Sequence, residues 1–181
     1  MTIYLRSRWR WLQVAGLLAV CLDVFFWQGP FTKLPKDMAF WLEQLPERIR
    51  SFLGQVIEWA ETHTDIVAIA LVGSYARGEA SETSDVDLVI IASSPAKLIQ
   101  DSDWVNHFGK PEQTTLEDWG KVQSIRVDYS DKLEVEYGIT GMDWLAAPVD
   151  EGTLSVLKNG IQVVYDRLGY LSNKLVDILR D

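Results

Sequence analysis

Hydrophobic positions along the chain fall into short blocks with two different periods. Ile49, Phe52, Leu53, Val56, Ile57 and Ala60 recur in alternating steps of three and one, the apolar stripe of an amphipathic helix. Pro46 suits its first turn, and Thr62 to Asp65 break it. Ile66 to Val72 is a continuous β-branched run, the pattern of a strand covered on both faces, and Gly73 ends it. Ser74 to Gly78 suits a short helical turn. Val86 to Ile91 is a second strand-like run, closed by Ser93-Ser94-Pro95. From Ala96 to Gly120 the pattern is polar and reads as helix plus loop, anchored by Trp104, Phe108 and Trp119. Val122, Ile125, Val127 and Tyr129 are the apolar members of an alternating segment. Leu133, Val135, Tyr137 and Ile139 alternate with Glu134 and Glu136 in the next. Ser130-Asp131-Lys132 between them predicts a hairpin. Thr153 to Lys158 reads as a helix capped by Asn159-Gly160, Ile161 to Tyr165 as a strand, and Leu171 to Leu179 as a terminal helix. The pattern predicts an α/β (α+β) domain with a mixed β-sheet flanked by helices.

Composition narrows the class. With 48% hydrophobic residues in 181, the chain has ample material for one packed core. A net charge of -9 argues against general nucleic-acid binding, which needs a basic face, and suits a protein that collects carboxylates around divalent cations. Cys21 is the single cysteine, so neither a disulfide within the chain nor a thiolate zinc site can form. His63 and His107 lack metal-ligand spacing and read as ordinary residues. Metal chemistry would therefore run through oxygen, favouring Mg2+ or Mn2+.

Residues 1–37 differ from the rest. Five Lys/Arg against Asp23 and Asp37 give them +3, leaving -12 on residues 38–181. The apolar stretch Trp11 to Trp27 is short for a span of about 20 residues and contains Asp23. No small-x-small cleavage site follows it, and Val20 fits poorly in the lipoprotein-like Leu18-Ala19-Val20-Cys21. Three readings stay open: a leader or misplaced start with Met38 as the true beginning, a membrane-associated anchor, or an ordinary packed helix. The expected location is the cytoplasm, with membrane association only through residues 1–37.

The chemistry concentrates between Leu71 and Ile90. A buried strand delivers Gly73-Ser74 into a helical turn, where a backbone open to close approach and a hydroxyl at a positive helix end suit a phosphate. Asp85 and Asp87 then fall two apart at the second strand, so both carboxylates point one way. At about 4 Å they repel by about 4 kcal/mol at an effective dielectric near 20. No Lys or Arg lies close to them in sequence, which makes a divalent cation the expected neutraliser.

Apolar-Gly73-Ser74, a gap, then Asp85-Val86-Asp87-Leu88 resembles the DNA polymerase β-like nucleotidyltransferase superfamily. Tyr75-Ala76-Arg77-Gly78 and Ser84-Asp85 are similar to its small bacterial branch of minimal and aminoglycoside nucleotidyltransferases. The resemblance implies Gly73, Ser74, Arg77 and Ser84 at the nucleotide, with Arg77 either on the triphosphate or capping the short helix. It implies Asp85 and Asp87 as metal ligands, and a third carboxylate on a later strand that shares a second metal and serves catalysis. Glu136 in Val135-Glu136-Tyr137-Gly138 is preferred; Glu134 shares its face, and Asp128 is a further candidate. The implied reaction moves an NMP, with ATP as the expected donor, onto an acceptor hydroxyl and releases pyrophosphate by a two-metal mechanism. The acceptor is not specified. The rival readings are an antitoxin-like module working with a helical partner protein, and a nucleotide-binding relative without turnover. The eight tryptophans need no ligand, since a core or an acceptor-pocket wall accounts for Trp119 and Trp144.

Overall fold

The computed structural model describes residues 41–180. The expected leader or anchor, residues 1–37, lies outside the described residues. Among the described residues, no helix is long and apolar enough to cross a membrane.

Helix α1 spans Glu47–Thr62 behind Pro46, whose fixed φ suits the position just outside the first turn. Its buried residues are the expected stripe, Ile49, Phe52, Leu53, Val56, Ile57 and Ala60, joined by Gly54 and Trp59. Strand β1 (Ile66–Val72), helix α2 (Gly73–Arg77) and strand β2 (Val86–Ala92) follow. Helix α3 (Pro95–Gln100) leads to a 3-10 turn at Asp103–Phe108. Strands β3 (Pro111–Asp118), β4 (Gln123–Tyr129) and β5 (Glu134–Thr140) come next, then a 3-10 turn at Met142–Leu145. Helix α4 (Glu151–Lys158), strand β6 (Gln162–Asp166) and helix α5 (Tyr170–Ile178) complete the described chain.

The six strands form one mixed sheet in the order β3-β4-β5-β2-β1-β6. Strands β2 and β5 pair in parallel, while the other neighbours are antiparallel. The β4–β5 hairpin is the expected one, with register centred on the Ser130-Asp131-Lys132 turn.

The two faces of the sheet are covered differently. On one, α1 and the Asp103–Phe108 turn pack over the odd-numbered residues of β4 and β5. Tyr137 is the hub of that side. Its ring centroid lies 5.0 Å from Trp104, 5.9 Å from Phe108 and 6.5 Å from Phe52. Its hydroxyl shares a buried 2.9 Å hydrogen bond with Tyr129, which also reaches Val105 O at 2.9 Å. On the other face, Trp144, Leu145, Leu157 and Leu171 close over Ala68, Ala70, Val89 and Ile91. That cover sits on the β1–β2 side, and the even-numbered residues of β4 and β5, Gly138 apart, carry polar side chains instead.

Two expectations need correction. The segment from Ala96 to Gly120 contains a full strand, β3, besides helix and loop. Its residues are nearly all exposed, because β3 sits at the sheet edge with β4 as its neighbour. A strand with little to bury shows no apolar alternation, and polar residues suit an edge. Trp104 and Phe108 do anchor the region, but Trp119 is 66% exposed and packs into no core.

The packing predicts a sharp contrast in stability. Leu53→Ala, in a fully buried position, should cost about 2–5 kcal/mol in chemical denaturation. Leu116→Ala, on the exposed face of β3, should stay within about 0.5 kcal/mol.

Candidate active site

Register brings the site together. Val72 of β1 is opposite Asp87 of β2, Asp87 is opposite Glu136 of β5, and Glu136 is opposite Arg126 of β4. Residues in one cross-strand row share a face, so these side chains form a line across four strands. Glu134 lies one step further along and pairs in register with Asp128. Glu136, rather than Glu134, is therefore the carboxylate beside Asp87.

Gly73 meets this row at the end of β1. Its φ of +66° lies in the left-handed region, and a Cβ there would stand 1.9 Å from Asp87 Oδ2. The absent side chain is thus the space that the Asp87 carboxylate fills. The chain turns at once into α2, which stops at Gly78 with φ +71°, a left-handed end that glycine takes without strain. Ser74 sits in the first turn, and its Oγ is buried with no hydrogen-bond partner among the described residues. A buried hydroxyl without a partner is costly, which marks it as a group disposed toward a ligand.

A cavity of about 800 Å³ opens over the row. Gly73, Arg77, Asp87 and Glu136 line it, with Trp119 and Trp144 among its apolar walls. Trp144 is both core residue and cavity wall, while the exposed Trp119 stands at the wall without core contacts. Lys121 also lines it and pairs at 3.2 Å with Asp150, whose carboxylate caps α4 through Thr153 N at 2.9 Å. Those Thr153 hydrogen bonds, backbone first, hold Asp150 down at about 2. Arg77 closes α2 and pairs with Glu79 at 2.7 Å while facing the cavity.

Ser84 lies elsewhere. Its Oγ accepts a 2.9 Å hydrogen bond from Ser81 N, and it lines a second cavity of about 700 Å³ together with Tyr75, Arg48 and Glu134. Gly73 and Arg77 therefore line one cavity and Ser84 the other.

Electrostatics distinguish the carboxylates. Burial pushes Asp87 up to about 7, and the charges of Asp85 and Glu136 add to the effect. Arg126 and Arg77 oppose it. A basic residue distant in sequence nevertheless reaches one member of the Asp85–Asp87 pair. Arg126 donates to Asp85 Oδ2 at 3.3 Å, to Glu134 Oε1 at 2.8 Å and to Glu136 Oε2 at 2.5 Å. It also lies 3.4 Å from Glu117 of β3. The even face of β4 and a hairpin centred on Asp131 do set Arg126 opposite Glu136, so the signal was present in the hairpin register.

The donor set suits a divalent cation by its chemistry. All the candidate ligands are hard oxygens, negative charge is in excess around Asp87, and the unpartnered Ser74 Oγ lies on the neighbouring turn. As arranged, Asp85, Glu134 and Glu136 turn toward the Arg126 guanidinium. Among the described residues, no three acidic, histidine or cysteine side chains converge as metal ligands.

Residues 49–139, half of the chain, match the family model described as a nucleotidyltransferase domain. No curated protein matches the chain. Solved structures resemble it distantly. An aminoglycoside 6-adenyltransferase from Bacillus subtilis is 11% identical with a TM-score of 0.43, over 55% of this chain and 37% of that one. Cid1 in complex with the UTP analog UMPNPP is 11% identical with a TM-score of 0.42, over 82% and 40%. The apo CCA-adding enzyme is 12% identical with a TM-score of 0.38, over 68% and 25%. The chain thus spans two fifths or less of the length of these three.

Two outcomes follow from the crowding around Asp87. Its folded pKa of about 7 exceeds the usual 3.8, so between those values the folded state binds a proton that the unfolded state releases. That stabilisation is full below about pH 4 and is lost as pH rises through 7. Asp87→Asn should remove this slope, leaving the variant more stable than the parent by roughly 2 kcal/mol at pH 8 and similar to it near pH 4. Thermal unfolding across that range, without metal, checks the sign. Gly73→Ala should destabilise by roughly 1–3 kcal/mol through its left-handed φ and the displaced carboxylate. Part of that loss should vanish in an Asp87→Ala background, measured as a double-mutant cycle.

Proposed function

This chain belongs to the nucleotidyltransferase domain family, and on that premise we propose that it transfers a nucleoside monophosphate, AMP from ATP, to an acceptor hydroxyl with release of pyrophosphate. The observation that carries the reading is the Asp87 carboxylate, seated in the space of Gly73 and in register with Glu136, on the floor of an 800 Å³ cavity.

Each part of the site has a role in this reading. The Ser74 hydroxyl donates to a phosphate oxygen, which would satisfy a buried group that has no protein partner. Arg77, on the cavity wall, offers positive charge to the triphosphate. The apolar walls at Trp119 and Trp144 exclude water from the reacting phosphate and give a planar substrate a surface to lie against. Glu136 accepts the proton of the acceptor hydroxyl as it attacks the α-phosphorus in line. Asp85, Asp87 and Glu136 would hold Mg2+ or Mn2+, which supplies charge neutralisation for the phosphates and acidifies the hydroxyl. The raised pKa of Asp87 supports this, since a carboxylate crowded by Asp85 and Glu136 gains most from a nearby cation.

A second reading is nucleotide binding without appreciable turnover. One observation favours it: Arg126 already pairs with Asp85 and Glu136, so those two carboxylates have a cationic partner without any ion.

The deciding experiment is a screen for Mg2+-dependent pyrophosphate release from ATP with hydroxyl-bearing acceptors, alongside ATP binding. Under the first reading, Asp87→Asn should lower release by about 100-fold or more, matching the several kcal/mol that a metal supplies. Glu136→Gln should lower turnover far more than ATP affinity, and Glu134→Gln should be mild. ATP binding with no pyrophosphate release from any acceptor would favour the second reading.

A further inference from the structure

Arg126 is the most heavily engaged charge in the described chain. Its guanidinium reaches four carboxylates: Glu134 at 2.8 Å, Glu136 at 2.5 Å, Asp85 at 3.3 Å and Glu117 at 3.4 Å. They come from β3, from β5 and from the residue just before β2. An exposed arginine needs one partner or none, and here all three guanidinium nitrogens lie within 3.4 Å of carboxylate oxygens. These contacts raise its own pKa, so the group stays cationic at every accessible pH. The four partners are of two kinds. Asp85 and Glu136 belong to the set proposed to hold a divalent cation, whereas Glu117 and Glu134 do not.

We infer that Arg126 is an internal counter-ion that occupies Asp85 and Glu136 while no divalent cation is bound, and that a binding cation displaces it onto Glu134 and Glu117. The inference rests on the proposed function, because it concerns the same carboxylates.

The physical reason is exclusion. A Mg2+ or Mn2+ ion bonds carboxylate oxygen at about 2.1 Å. An ion shared by Asp85 and Glu136 would then stand within roughly 5 Å of a guanidinium still bonded to both. Two positive charges on one and one on the other repel at that distance by several kcal/mol at an effective dielectric near 20, so both cannot keep their ideal contacts. Glu117 and Glu134 resolve the conflict. They give the displaced side chain two acceptors within reach, so the exchange needs only rotation about side-chain bonds. The fold thereby stabilises an acidic cluster that would otherwise repel itself, and it sets how much free cation is needed to load the site. Arg126 is a positioning residue in this scheme, since it acts through the carboxylates it holds.

The test measures binding of Mn2+ alone, by the electron paramagnetic resonance of free Mn2+, to the full chain without nucleotide. Arg126→Ala should bind Mn2+ about tenfold more tightly than the parent, because the competing occupant is gone. Arg126→Lys should fall between, as one ammonium cannot span all its partners. Lys97→Ala changes net charge equally, but Lys97 pairs with Asp65 at 3.2 Å before the start of β1, and this variant should leave Mn2+ affinity unchanged. In the parent protein, the Arg126 side-chain 15N resonance should shift as Mg2+ is added, a readout that needs no variant to fold. Unchanged or weaker Mn2+ binding in the folded Arg126 variants overturns the proposal, as does an Arg126 resonance that stays fixed while Mg2+ saturates the protein. If pyrophosphate release persists in either case, the proposed function stands and the counter-ion role alone fails. If neither Mn2+ binding nor pyrophosphate release occurs in any of these proteins, both fail together.

Discussion

Excess negative charge confined to one row of a sheet is the constraint around which this site is organised. Asp87 and Glu136 are cross-strand neighbours, and Asp85 and Glu134 flank them one step along the same face. Left alone, such a set would resist folding, since like charges at strand-pair distances repel and burial raises the cost of each. The structure meets that cost in two ways. Asp87 is pushed up to about 7, and Arg126 spreads one guanidinium over the others. Under the proposed function, that tension is what would draw a cation to the site.

The rest of the fold holds that row in place. The opposite face of β4 and β5 carries Ile125, Val127, Tyr129, Val135, Tyr137 and Ile139, all buried. Aromatic contacts from α1 and the Asp103–Phe108 turn fix Tyr137 from above. A slip of one residue would expose this set and bury the carboxylates, so the apolar face fixes the register of the acidic one. On the charged side, Trp144, Leu145 and Leu157 cover β1 and β2 but stop short of Glu136, which leaves the cavity. Gly73 is the point where the two requirements meet. Its missing side chain admits Asp87, and its left-handed φ turns the chain into α2.

The unpartnered Ser74 hydroxyl and the saturated Arg126 are opposite kinds of evidence about the same place. One is a buried donor without a partner, which points outward to a ligand. The other is a cation with a surplus of partners, held within the acidic cluster. Under the proposed function both have a use, because an empty site and a nucleotide-loaded site would have different charges to balance.

Local pattern alone determined much of this molecule. The 3.6-residue stripe of α1, the continuous runs of β1 and β2 and the alternation of β4 and β5 are statements about which side chains leave water, and those govern element type. The entry of Gly73-Ser74 into a short helix and the shared strand face of Asp85 and Asp87 were legible, because turn geometry and the two-residue period act over a few residues. Strand β3 was not legible, since its edge position asks almost nothing of its side chains. Nor was the division of Ser84 into a second cavity, which depends on how the loop from Gly78 to Asp85 folds back through Ser81. Arg126 lies between these cases. Its place opposite Glu136 follows from the hairpin register, but its approach to Asp85, forty-one residues away in sequence, required β5 to pair in parallel with β2. Sequence set which groups carry charge, and only the long-range strand pairing decided which charges would share a site.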